Sequence, residues 1–192
     1  MSGLGEALRE SAIINLTEAV TMVVDDSSFA AEITASALLG FGIRVRYSCR
    51  SATDAMEILN EQDIDLLLVD SEMPVMSGYD LVHWLRRSGR QPNAFVPVIL
   101  TAAHIRRSNV GRARDCGANF VVTKPFSASS LLERIVWVAR DGRPFLEVGE
   151  YLGPDRRFRP GDPPGEERRA DVIRRVNFEA EKAATAAGDV NP

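Results

Sequence analysis

Lysine is almost missing from this chain. Of its 23 basic residues only Lys124 and Lys182 are lysine, and the rest are arginine. A bias of that kind reflects genome composition, so an arginine cluster carries little information by itself, whereas a lysine written against the bias invites a reason. Cysteine is equally scarce. Cys49 and Cys116 stand far apart in no close-spaced motif, which excludes a zinc ribbon or a disulfide framework and fits a reducing, cytoplasmic setting. The longest apolar runs, such as "LLLV" and "FVPVIL", are too short to cross a bilayer. The first twenty residues carry Glu6, Glu10 and Glu18 without a basic start or an apolar core, so no signal peptide is expected. Positive charge is not in excess: the net charge of −4 argues against general affinity for nucleic acid or anionic membrane. No internal repeat is visible.

What remains is an ordinary globular composition, 45% hydrophobic and 26% charged, over 192 residues. That length suits one domain with an appendage. Short apolar runs alternate with amphipathic stretches. Strands are predicted at 20–24, 43–47, 65–69, 96–100 and 119–122, with helices at about 28–39, 52–61, 78–87, 105–115 and 127–139. Gly40, Gly42 and Gly117 mark helix stops, and Ser127 fits an N-cap. Five such alternations predict an α/β doubly wound, five-stranded parallel sheet covered on both faces. Ligand sites in such sheets lie beyond the carboxyl ends of the strands.

After residue 140 the character changes. Residues 141–165 hold five of the ten prolines and no sustained periodicity, so they read as a linker or irregular segment. From Pro164 a helical pattern returns, with Val172, Ile173, Val176 and Phe178 as a thin apolar stripe too small for a second core. The division is therefore residues 1–17 as an N-terminal extension, 18–140 as the folded domain, and 141–192 as an arginine-rich, irregular and partly helical C-terminal extension.

The strand ends carry the chemistry. "VVDDSS" puts Asp25 and Asp26 after the first strand, and "LLLVDSEMPVMSG" puts Asp70 after the third. Three carboxylates at one edge repel one another unless a cation holds them, and hard oxygen donors suit Mg²⁺. The fourth strand ends at Thr101 and the fifth at Lys124. A hydroxyl and an ammonium beside a carboxylate–magnesium cluster are what a transferred phosphoryl group requires. Singly, an acidic pair after a strand is a turn or cap, and a lone Thr or Lys means nothing; the combination is what points to chemistry.

"VVDDS", "LLLVDSEMPVMSG", "VILTA" and "NFVVTKPF" together resemble the receiver domain of two-component response regulators, a CheY- or flavodoxin-like fold, over residues 18–140. By that resemblance Asp70 is the phosphoacceptor, attacking a phosphohistidine or a small phosphodonor. Asp26 and Asp70 bind Mg²⁺ directly, Asp25 through water, and Glu72 through its backbone carbonyl. Thr101 and Phe120 match the coupled switch pair, although Phe120 lacks a phenolic hydroxyl and serves equally well as plain core. Glu72 and Ala103 fall where the family tunes dephosphorylation. A histidine kinase or phosphotransfer protein is the implied phosphoryl source. The chain is expected to be a signalling protein rather than an enzyme.

The segment "YLGPDRRFRPGDPPGEERRADVIRR" holds seven arginines and five acids in twenty-five residues. It shows no helix-turn-helix pattern, zinc spacing or catalytic constellation, so DNA binding is not expected. One reading is a solvated linker, which makes the protein a stand-alone phosphorelay regulator with a passive tail. The other starts from functional groups. Arg156, Arg157, Arg159, Arg168 and Arg169 supply forks for guanine edges and phosphates, Asp155 or Asp171 accepts from guanine N–H groups, and Tyr151 and Phe158 offer stacking faces. Cyclic di-GMP, with two guanines and two phosphates in one ring, satisfies both arginine pairs. "GPDRRFRPGDPPGEERR" also resembles the extension of CheY-like cyclic-di-GMP effectors. That resemblance implies contact with a flagellar motor switch protein, an effect on motility and surface attachment, and recruitment to the flagellated cell pole.

Overall fold

The computed structural model describes residues 16–103, 107–156 and 174–176. Five strands, β1 (Thr21–Val24), β2 (Val45–Cys49), β3 (Leu66–Asp70), β4 (Val98–Ala102) and β5 (Phe120–Thr123), form one sheet in the order β2-β1-β3-β4-β5. Every pairing in it is parallel. Between them run α1 (Ser28–Leu39), α2 (Ala52–Glu61), α3 (Gly78–Arg87), a 3₁₀ turn at Asn93–Phe95, α4 (Arg107–Asp115) and α5 (Ala128–Ala139). This is the doubly wound sheet that the alternation predicts. The strands run one or two residues later than expected, which makes Asp70 and Thr101 strand residues rather than loop residues.

Side-chain alternation on β3 shows how both faces are filled. Leu67 and Val69 face α2 and α3 with Met22, Leu59, Leu81 and Leu85, whereas Leu66 and Leu68 face α1 and α5 with Leu38, Leu131 and Ile135. Each face burial is worth about 1.5–3 kcal/mol per large apolar side chain, which outweighs the ordering of short helices. The helices start where a serine accepts a backbone N–H. Ser27, Ser51, Ser77 and Ser127 receive those of Ala30, Asp54, Asp80 and Ser130. Among the described residues no helix is long and apolar enough to cross a membrane.

The segment after α5 departs from expectation. Residues 145–154, read from sequence as irregular, form an antiparallel hairpin of β6 (Phe145–Val148) and β7 (Tyr151–Pro154) around Gly149–Glu150. Gly149 takes φ +55°, the left-handed conformation that a two-residue hairpin turn needs. Residues 174–176, expected in a helix, instead form strand β8 on the open edge of β6. An unpaired strand edge offers a row of backbone donors and acceptors, and β-branched Val176 suits a strand as well as a helix. The remainder of 157–192 and residues 1–15 lie outside the described residues, including Arg157, Phe158, Arg159, Arg168, Arg169 and Asp171.

A buried arginine ties the domain together beneath the hairpin and meets it through one ring. Arg86, 2% exposed, donates to the carbonyls of Gly117 and Ala94 and to the Asn119 side chain at 2.9, 2.9 and 3.2 Å. Its guanidinium also lies 5.0 Å from the centre of the Phe145 ring. Burial lowers its pKa to about 10. Phe145 in turn meets Phe95 edge-on at 5.2 Å. Arg143 completes the clamp: it pairs with Asp141 at 2.6 Å and donates to the carbonyls of Asn119 and Asp155. Replacing Arg86 by Leu strands three buried acceptors, each costing about 1–3 kcal/mol when left without a donor. Loss of the buried charge offsets part of that, so urea unfolding of Arg86→Leu is expected to show a deficit of about 2–4 kcal/mol. Limited proteolysis of the same variant should cut first within 143–156.

Candidate functional site

The carboxyl edge of the sheet gathers the predicted residues. Asp25 directly follows β1 and is 3% exposed, Asp70 ends β3 at 7%, and Thr101 on the neighbouring β4 is 4% exposed. The β3–β4 register sets Asp70 opposite Thr101. Lys124, one residue past β5, is anchored by its backbone N–H on the Ala102 carbonyl at 2.7 Å. From there its ammonium reaches Asp25 Oδ2 at 2.7 Å and also donates to Asp70 Oδ1. The Lys124–Pro125 peptide is cis.

Each carboxylate has its second oxygen on a backbone N–H. Ser27 donates to Asp25 at 3.0 Å and Glu72 donates to Asp70 at 2.9 Å. The 71–77 loop closes tightly over β3: a Cβ on Gly78 would stand 2.1 Å from the Asp70 carbonyl oxygen, so only glycine fits there. At the loop tip Val75 is fully exposed with φ +68°, an unusual conformation for a β-branched residue.

Burial raises the pKa of Asp70, partly opposed by the Lys124 and Glu72 hydrogen bonds. Burial also disfavours the Lys124 ammonium, yet its bonds to Asp25 and Asp70 outweigh that and raise its pKa. The site is therefore an under-neutralised anionic pair, with one ammonium facing the carboxylates of Asp25 and Asp70, while Asp26, the next residue, has its backbone carbonyl on Arg50. Among the described residues no three carboxylates, imidazoles or thiols form a ready-made metal nest. The donor chemistry nonetheless fits a hard divalent cation: oxygen ligands at one edge carry more negative charge than Lys124 offsets. Asp25, Asp26, Asp70 and the Glu72 carbonyl are the groups that would hold it.

The other predicted residues fall elsewhere. Glu72 is exposed, and its side chain accepts from Asn109 on α4 at 3.4 Å. The Thr101 hydroxyl leans on the Val69 carbonyl at 3.5 Å. Phe120 is half-buried, edge-on to Trp137 at 5.5 Å and under Arg134 at 4.8 Å, so its ring joins the core while remaining reachable. Tyr151, Asp155 and Arg156 lie on or beside the hairpin, next to the amino ends of β4 and β5 and away from the carboxylates. Tyr151 is buried, with its hydroxyl on the Pro154 carbonyl. Arg156 covers that ring at 3.6 Å and pairs with Asp115 at 2.9 Å. Sequence reasoning missed Arg86, Asn119 and Arg143, because the arginine bias hides the two arginines that matter among many that do not.

The comparisons with known proteins agree with this geometry. Residues 21–136 match the family model described as the response regulator receiver domain. The chemotaxis protein CheY of Pseudomonas aeruginosa is 32% identical over 114 residues, covering 59% of this chain and 90% of that protein. Among solved structures, the signal receiver domain of a histidine kinase from Syntrophus aciditrophicus is 29% identical with a TM-score of 0.57, over 62% of this chain and 89% of that one. The receiver domain of a Francisella response regulator is 25% identical with a TM-score of 0.56, over 63% and 96%. The family match stops at residue 136, before the hairpin. From Thr21 to Val136, this chain belongs to the response regulator receiver domain family.

Proposed function

We propose that this protein is a signalling receiver phosphorylated on Asp70. The observation that carries the reading is Lys124, the one lysine of the folded domain, bridging Asp25 and Asp70 beside a buried threonine. An Asp70 oxygen attacks the phosphorus of a phosphohistidine or small phosphodonor. The bond from phosphorus to the donor breaks, and its electron pair leaves with the donor. Lys124 offsets charge on the incoming oxygens, and the Thr101 hydroxyl, now bound only weakly to a carbonyl, supplies a hydrogen bond. Mg²⁺, when bound at the same edge, supplies further charge neutralisation. The chain then acts as a switch rather than as a turnover enzyme, with a histidine kinase or phosphotransfer protein as its partner.

A second reading concerns the extension. Arg156 already makes a stacked contact with Tyr151 and an ion pair with Asp115, the two chemistries that a guanine and a phosphate would compete for. That supports cyclic di-GMP as a ligand of the "DRRFRPGDPPGEERRA" segment. The relation to a chemotaxis protein supports an output at a flagellar motor switch protein, hence in the cytoplasm near a flagellated pole.

Beryllofluoride with Mg²⁺ is expected to shift the backbone amide signals of Thr101 and Phe120, and Asp70→Asn to abolish the shift. Mg²⁺ alone should raise the melting temperature, an effect lost in Asp26→Ala and Asp70→Asn. Silence at Thr101 in the wild type sinks the assignment.

Proton linkage gives a second check. The pKa of Asp70 in the folded chain lies above its unfolded value of 3.8, so the native state holds that proton more tightly. Stability therefore falls as pH rises through the window between the two values. Without metal, Asp70→Asn should melt higher than wild type at pH 7, by roughly 2–4 °C if the buried charge costs about 1 kcal/mol. That gap should narrow toward pH 4.

For the extension, calorimetry with cyclic di-GMP should use the full chain. A chain ending at Gly149 would lose β7 from the docked hairpin. Replacing Arg156, Arg157, Arg168 and Arg169 by lysine keeps the charge and removes the planar forks. It is expected to weaken binding by about 1–3 kcal/mol per productive base contact. Equal affinity would reduce the site to anion attraction.

A further inference from the structure

Helix α4 is held by polar contacts at both ends more than by burial. Its sequence, RSNVGRARD, offers Val110, 51% exposed, and Gly111, which has open space around it; Ala113 packs half-buried on the core. Such a helix has little apolar face and a weak intrinsic propensity. Toward the carboxylate edge, Asn109 donates to Glu72 at 3.4 Å, and Arg112 donates to Ser77 at 2.9 Å and Asp80 at 2.8 Å. Glu72 and Ser77 belong to the loop that closes on Asp70. At the far end Asp115 pairs with Arg156 at 2.9 Å. Two residues on, a Cβ at Gly117 would stand 2.4 Å from the Leu152 carbonyl of the hairpin. At about 1.5 Å of rise per residue, the helix spans roughly 13 Å between the two regions.

These ties are surface pairs, with side chains 47% and 56% exposed at Arg112–Asp80 and 36% and 45% at Arg156–Asp115. Each is individually weak, so a modest change at one end suffices to redistribute them. We propose that phosphoryl occupancy of Asp70 and docking of the 143–156 hairpin are coupled through α4, the docked hairpin favouring the unphosphorylated arrangement. This rests on the reading of Asp70 as phosphoacceptor. A phosphoryl group there adds negative charge and competes for the Glu72 N–H that now binds Asp70, which moves Glu72. Glu72 then releases Asn109, α4 shifts, and Asp115 is drawn from Arg156. Coupling of this kind is reciprocal: weakening Asp115–Arg156 makes the phosphorylated arrangement easier to reach.

The test uses the full chain with beryllofluoride and Mg²⁺, reading the Thr101 amide shift and hydrogen exchange across 145–156. The Asp155 amide, bonded to the Pro144 carbonyl at 2.9 Å, is a convenient reporter. Beryllofluoride is expected to speed exchange in the hairpin severalfold. Asp115→Asn and Arg156→Gln, both at exposed side chains, are expected to bind it about two- to fivefold more tightly, as loss of one surface pair allows. A Thr101 shift that requires Asp70, accompanied by unchanged hairpin exchange and unchanged affinity in both variants, overturns the coupling and leaves the phosphoacceptor intact. Weaker binding in the variants overturns the stated direction. No Asp70-dependent shift at all overturns both readings together.

Discussion

Asp25 and Asp70 are brought side by side by adjacent parallel strands, in an environment nearly closed to water. Two carboxylates so placed raise each other's energy unless a cation lies between them, and here that cation is the Lys124 ammonium. The arrangement reaches beyond the pair itself. The free oxygen of Asp25 orients the Ser27 N–H at the start of α1, and that of Asp70 orients the Glu72 N–H at the start of the loop into α3. Three strand-to-helix connections therefore converge on one ammonium. An ammonium is compact and directs three rotatable donors, whereas a guanidinium presents a flat fork that would not sit between two converging oxygens. That is a physical reason for a lysine in a chain that otherwise writes its basic residues as arginine.

Much of this was legible in the sequence because helices announce their ends. Ser127 and the glycines at 40 and 117 punctuate the chain, and α1, α2 and α3 occupy the expected residues, each with a serine cap that the structure adds. The end of β1 falls where expected, whereas those of β2 to β5 lie one or two residues later. A parallel strand buried on both faces is a continuous apolar run, so nothing in it marks where the ladder stops, and polar Asp70 and Thr101 pass for loop residues while still paired. The extension was misread for a different reason. Prolines dominated the reading of 141–165, yet "FLEVGEYLGP" carries two apolar runs separated by Gly-Glu, a two-residue turn with glycine first. That signal was available. Which of the many arginines is buried was not, since Arg86 is distinguished only by the three acceptors that the fold brings to it.

The hairpin meets the receiver through groups that also border its functional parts. Asn119 accepts from Arg86 through its side chain and from Arg143 through its carbonyl, and the next residue is Phe120. The Phe120 ring leans on Trp137, and the Arg143 guanidinium lies 4.8 Å from the centre of the Trp137 ring. Phe120 thus shares neighbours with the clamp that fixes the extension. Because it has no hydroxyl, any change in its position is expressed through packing alone, and the packing partner it would disturb is the one that Arg143 holds.

The contacts of the extension differ sharply in strength. On the side of Arg143 and Arg86 they are shielded: Arg143 donates to the Asn119 and Asp155 carbonyls, and the Phe145 ring packs on the buried Arg86 guanidinium. Around α4 they are half-exposed ion pairs, individually worth little and quickly remade. A structure built this way keeps the body of the hairpin attached while its margin at Arg156 remains exchangeable. The exchangeable margin adjoins the arginine-rich segment and lies one helix length from Asp70. An element anchored firmly at one side and loosely at the other responds to small free-energy changes at the loose side without unfolding. That division of strength gives a tail of this composition a means to be governed by the receiver.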